Sequence, residues 1–255
     1  MNLNEAKRVL RNYGYFLKED ARRNNTDISD VFSLIDVHNW SPKWVTEEIM
    51  KHYYEQITVD YIDEKNYKKY IGKYVNVKEN VDLSTLGLKK LPIRFGTVGN
   101  NFNCSYNKLT SLEGAPKSVG GNFVCEDNKL TSLKDAPKVV GGNFECGLNK
   151  LTSLEGAPNE VGGDFSCSYN ELTSLEGAPK VVGRSFLCYH SELTSLEGAP
   201  NEVGGDFYCG YNKLTSLKGA PKVVGGNFYC FDNEVEFTED DVLKVSNVKG
   251  KIKLN

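Results

Sequence analysis

The sequence predicts an α+β protein: a solenoid of short repeats with a parallel β-sheet along its concave face, preceded by a small all-α N-terminal domain. Three observations carry this. Phenylalanine recurs at Phe102, Phe123, Phe144, Phe165, Phe186, Phe207 and Phe228, always at the same interval. Each of the 7 cysteines follows one of these phenylalanines by two positions. Residues 1–80 lack the period and instead carry apolar side chains at helical spacing.

In the N-terminal stretch, Ala6, Val9, Leu10 and Tyr13 share one helical face. Asp27 can cap a short helix bearing Ile28, Val31, Phe32 and Leu34. Ser41-Pro42 starts a third, with Trp44, Val45, Ile49, Met50 and Tyr53 as its stripe. A fourth is expected from Asp63 through Ile71. The reading is a four-helix cap over residues 1–80.

The solenoid follows over residues 81–255. Its first repeat, 81–101, is degenerate: Val81, Leu83, Leu88 and Leu91 sit one period before Phe102, Cys104, Leu109 and Leu112. Seven clear repeats begin at Phe102. A C-terminal cap over 238–255 contains an acid-started helix near Thr238–Val245 and a last strand at Lys251–Leu254. Such caps are atypical because they cover the open end of a stacked core.

Each repeat reads Phe-x-Cys-x-x-Asn-x-Leu-x-x-Leu. Phe and Cys two apart point to one side of an extended strand. The Asn column (Asn107, Asn128, Asn149, Asn170, Asn212, Asn233, with Ser191 as the exception) falls where the chain leaves that strand. Its amide is suited to bond backbone groups of the turn and of the next coil. In the return stretch, Pro and a Gly pair exclude a long helix. One repeat buries about four large apolar side chains, worth about 6–12 kcal/mol. Ordering its backbone costs on the order of 20–40 kcal/mol. Single repeats therefore cannot fold, and stacking is obligatory.

This pattern resembles the leucine-rich-repeat family, whose signature is Leu-x-x-Leu-x-Leu-x-x-Asn-x-Leu. Phe102 and Cys104 stand for the two strand leucines, Asn107 for the asparagine and Leu109 for the next leucine. The Leu-Thr-Ser-Leu-x-x-x-Pro return is similar to short repeats of bacterial effectors of the IpaH type. Those effectors carry a separate catalytic domain with a reactive cysteine; here every cysteine belongs to the repeat, so that activity is not expected. The opening Asn4–Leu17 stretch is similar to leader helices of small tailed-bacteriophage proteins.

Composition narrows the function classes. The net charge is −3, with Lys and Arg equal to Asp and Glu over residues 1–80. No basic surplus for phosphate contact is present, and nucleic acid is not an expected partner. No apolar window could span a bilayer, and the N-terminus has no signal-peptide pattern, so a reducing cytoplasm is expected. The cysteines form no Cys-x-x-Cys pair, so neither a metal nor a cofactor is expected. His38, His52 and His190 lie far apart with no nucleophile attached, so no catalysis is expected.

Variation between repeats concentrates on outward strand positions, while the return stretch is nearly invariant. Toward the C-terminal half these positions gather Tyr169, Leu187, Tyr189, His190, Tyr208, Tyr211, Tyr229 and Phe231. Aromatic enrichment of this kind marks interfaces. The Phe186 repeat also departs most from the pattern, with Arg184 for Gly, Ser185 for Asn or Asp, and Ser191 for the ladder Asn. We expect these residues, Arg184 included, to contact another protein. The phage resemblance implies a specific form: a monomeric antagonist of a host antiviral-defence protein, acting in the host cytoplasm. The alternative is a virion or scaffold component that uses the same face for self-assembly.

Overall fold

The structure, a computed structural model, describes residues 57–254. It is a parallel β-solenoid whose coils each give one short strand to each of two sheets. The nine-stranded sheet runs from Val81–Asp82 through the seven Phe strands, Phe102–Asn103 to Phe228–Tyr229, and ends on Ile252–Lys253. Neighbouring strands pair in parallel with Phe opposite Phe: Phe165 faces Phe144 on one side and Phe186 on the other. The predicted register is therefore the observed one.

A second, ten-stranded sheet was not expected. It starts at Ile57–Val59 and Tyr74–Val77, continues through Arg94–Val98 and Ser118–Val119, and ends at Asn247–Val248. From Ser118–Val119 to Val223–Val224 its strands lie inside the return stretch, after the Pro and before the paired-glycine position. Val119, Val140, Val161, Val182, Val203 and Val224 point inward from it and are buried. The following glycines explain the tight stacking. A Cβ on Gly204 would lie 2.2 Å from the carbonyl oxygen of Gly183, and one on Gly141 equally close to that of Gly120. Only glycine lets the backbones of successive coils approach this closely.

Residues 57–80 correct the expected boundary. Strands at Ile57–Val59 and Tyr74–Val77 join the ten-stranded sheet, and Ile62 bridges to Val81. The unit that holds the solenoid begins at Thr58, not at residue 81. The helix expected at Asp63–Ile71 is a single 3-10 turn, Tyr67–Tyr70. The other three expected helices, within residues 4–53, lie outside the described residues. Among the described residues the one α-helix is Glu239–Val245 at the C-terminal cap. Thr238 caps it reciprocally with Asp241, and Val242 seals it onto the core. The expected last strand is Ile252–Lys253, paired with Phe228–Tyr229.

The core consists of columns. Phe102 through Phe207 stack ring on ring, with centroids 5.2–5.7 Å apart. The Leu columns at 109–214 and 112–217 line the interior beside them. All seven cysteines are buried and free. Several donate from Sγ to a carbonyl of the adjacent coil, as Cys146 does to Ser166 at 3.2 Å. Burial pushes the Cys125, Cys146 and Cys167 thiols well above their ordinary range. In native buffer a disulfide reagent should therefore titrate none of them quickly, and all of them after unfolding. Fast labelling of several thiols in the native state would contradict the column.

Two polar ladders tie the coils together. The Asn column behaves as expected: Asn128 Oδ1 accepts from Leu109 N–H at 2.9 Å, and its Nδ2 donates to the carbonyls of Cys104, Cys125 and Glu126. The second ladder was not anticipated. The residue before each Phe accepts, through its side chain, the N–H of its equivalent one coil later. Asn101 takes Asn122 N–H at 2.8 Å, Asp164 takes Ser185 N–H at 2.8 Å, and Asp206 takes Asn227 N–H at 2.6 Å.

Ser191 interrupts the first ladder. Its hydroxyl is buried without a hydrogen-bond partner, and Leu172 N–H loses the carboxamide acceptor its counterparts have. Ser191→Asn should restore both contacts and stabilise the protein by about 1 kcal/mol. A melting temperature equal to or below the parent's would show that this coil does not accommodate the ladder.

Candidate interaction face

The expected contact residues can be located on the outer side of the nine-stranded sheet. Each coil contributes three positions there: the residue between Phe and Cys, the residue after Cys, and the one after that. The first is half-buried throughout, from Asn103 to Tyr229. The third forms a column of unusual backbone. Thr85, Tyr106, Asp127, Leu148, Tyr169, His190, Tyr211 and Asp232 all have positive φ, between 48° and 60°. This left-handed conformation turns the chain out of the strand so that the next residue, the ladder Asn, points inward.

The aromatic residues form two stacks joined edge to face. In the left-handed column His190 lies between Tyr169 and Tyr211, with centroids at 4.5 and 4.3 Å and planes within 15° and 4°. In the strand column Tyr208 and Tyr229 stack at 4.1 Å and 4°. That is closer than one strand spacing, because flat rings lean together to reach contact. Tyr189 joins the stacks by T-shaped contacts with Tyr169 at 5.4 Å and Tyr208 at 6.5 Å. Phe231 closes against Tyr211 at 5.2 Å. Leu187 sits opposite Tyr208 in the ladder.

Arg184 stands apart. It is exposed at the corner between the Val181–Val182 and Phe186–Leu187 strands, in the column of second glycines, and forms no ion pair among the described residues. No ring contact connects it to the stacks.

Polar anchors fix the strand tyrosines. Tyr208 Oη donates to Asp206 Oδ2 at 3.2 Å, and Asn227 Nδ2 donates to Tyr229 Oη at 3.2 Å. Burial, then the neighbouring Tyr229 hydroxyl and Asp206, raises the Tyr208 hydroxyl well above the usual phenol range, so it stays protonated at neutral pH. Lys253 Nζ lies 5.2 Å from the Tyr229 ring centroid, a cation–π distance.

His190, stacked between Tyr169 and Tyr211, has both ring faces covered and presents its rim outward.

Part of this face escapes sequence reasoning. Tyr106 and Leu148 belong to the left-handed column and are 56% and 47% exposed. Glu126, Asp127 and Glu145 sit on the two adjacent coils that precede the coil of Tyr169. Burial, then the charges of Glu145 and Asp127, pushes the Glu126 carboxyl up. Among the described residues no group of His, Cys, Asp and Glu is arranged to hold a metal ion, and no helix is long and apolar enough to cross a membrane. No protein-family model, curated protein or solved structure matches the chain.

Proposed function

We propose that this chain is a non-enzymatic protein-binding module of leucine-rich-repeat type, with the outer face of the nine-stranded sheet, concave in that family, as its contact surface. The left-handed column is the observation that carries the reading. A left-handed backbone costs a bulky residue on the order of 1–2 kcal/mol. Asp and Asn adopt it more readily, and Asp127 and Asp232 occupy two of these positions. Leu148, Tyr169 and Tyr211 occupy others at the higher cost. An aromatic stack returns about 0.5–1.5 kcal/mol beyond burial, which roughly cancels that cost. The rings therefore bring little net stability, and a recognition role accounts for them.

Tyr211→Asn separates the two roles. The melting temperature should stay within about 3 °C of the parent, a shift of under about 1 kcal/mol. Partner binding should fall at least about tenfold. A large drop in melting temperature with binding intact would assign the column to sheet stability.

The self-assembly alternative uses the same face and is settled by light scattering. A particle mass of one chain at all concentrations supports a foreign partner, and concentration-dependent growth supports homotypic contact. The narrower expectation of an antagonist of a host defence protein draws only on the phage-like Asn4–Leu17 stretch, outside the described residues.

A further inference from the structure

We infer that the segment this face holds is a cationic stretch of polypeptide, whose Lys or Arg side chains meet Glu126, Asp127 and Glu145 while its apolar side chains pack on the tyrosine rims. The inference deepens the protein-binding reading and rests on it. Along the three outward positions of the coils the charged residues are Asp82, Glu126, Asp127, Glu145, Asp232 and Lys253. Five are acidic. The one base is engaged over the Tyr229 ring.

The three clustered carboxylates occupy two neighbouring coils, and none is in an ion pair among the described residues. Glu145 accepts only a neutral amide hydrogen bond, from Asn143 Nδ2 at 3.2 Å. Partial burial of Glu126 beside two like charges is unfavourable in the free protein, as its raised carboxyl shows. An incoming cation relieves that repulsion, whereas an acidic or neutral segment does not. The cluster precedes the aromatics along the sheet: Leu148, three positions after Glu145, lies one coil before Tyr169 in the left-handed column. One segment crossing a few coils therefore meets both chemistries. Charge complementarity of this kind sets partner choice and association rate.

The test is a display library of random peptides selected on the intact protein. Selected peptides should be enriched in Lys and Arg beside apolar residues. Their affinity should weaken as ionic strength rises from about 0.01 to 0.15 M, which shortens the screening length from about 30 to 8 Å. They should lose about tenfold or more on the Glu126→Gln, Asp127→Asn, Glu145→Gln protein, and again on the Tyr208→Ala, Tyr229→Ala protein. The amide changes are near-isosteric, and the salt dependence of the unaltered protein gives the same information without any substitution. Neutral or acidic peptides that fail only on the tyrosine variant would overturn the cationic partner and leave the protein-binding reading standing. Cationic peptides indifferent to the tyrosine change would overturn the composite site. No selected peptide, or peptides indifferent to both variants, would overturn both readings.

Discussion

Asn170→Leu should destabilise the solenoid strongly, by about 1–3 kcal/mol for each buried backbone group that it leaves unpaired. Asn170 Oδ1 accepts Leu151 N–H at 2.9 Å, and Nδ2 donates to the carbonyls of Cys146, Cys167 and Ser168 at 3.1, 2.9 and 3.4 Å. Leucine is similar in size but offers nothing to these groups. The Cys146 carbonyl keeps a second donor in Asn149. Leu151 N–H and the Cys167 carbonyl lose the amide that pairs with them. The usual second donor to such a carbonyl comes from the ladder residue one coil later, and Ser191 stands there in place of Asn. Two unpaired groups in adjoining dry coils make this the largest stability effect expected of a single ladder substitution. Thermal melting with hydrogen exchange is the measurement. Exchange should accelerate first in the coils on either side of Asn170, because each repeat is held only by its neighbours. A parent-like melt would mean that the Asn column is decorative.

The second large effect is on binding. Tyr208→Ala combined with Tyr229→Ala should weaken partner capture by about thirtyfold to a thousandfold, the usual ~2–4 kcal/mol for truncated aromatic anchors. The two rings are preorganised: they stack at 4.1 Å, and Asp206 and Asn227 hold their hydroxyls. A partner therefore does not have to order them on arrival. Folding should suffer less, since the lost stack is worth about 0.5–1.5 kcal/mol. The control is Thr173→Ala with Ser174→Ala in the return stretch, away from both sheets, which should leave capture unchanged. Equal capture by the tyrosine variant and the control would move the contact surface off this face.

Much of the architecture is legible in the residues because a solenoid writes its neighbours into its period. Evenly spaced Phe, Cys, Asn and Leu columns predict both register and burial, and Phe165 opposite Phe186 follows from counting. The second sheet was hidden for a physical reason. Most of its strands are too short to show alternation, and they sit between signals that read as turns. Their pairing comes from the coils on either side, not from local propensity. The start of the solenoid was misplaced for a related reason. Residues 57–80 carry Ile62, Val75 and Val77 into the core without the Phe-x-Cys signature. At the candidate face, composition exposed the tyrosines but not their backbone. Tyr, Leu and His do not announce a positive φ, and only Asp127 and Asp232 in the same column hint at it. The Asn101 to Asn227 ladder was visible as a column before Phe, yet without coordinates nothing distinguished an acceptor from a solvated amide.

The two ladders also bear on how such a chain can change its length. Their donors find acceptors at fixed offsets in the adjoining coil, and successive coils offer nearly the same groups. Excising or duplicating one whole repeat therefore returns each bond to an equivalent partner, while a change of any other size breaks both ladders at once. Gene duplication and loss can then act on copy number without re-optimising a core. The tyrosine-bearing coils can be multiplied or deleted as blocks, and the reach of the contact face inherited as a count.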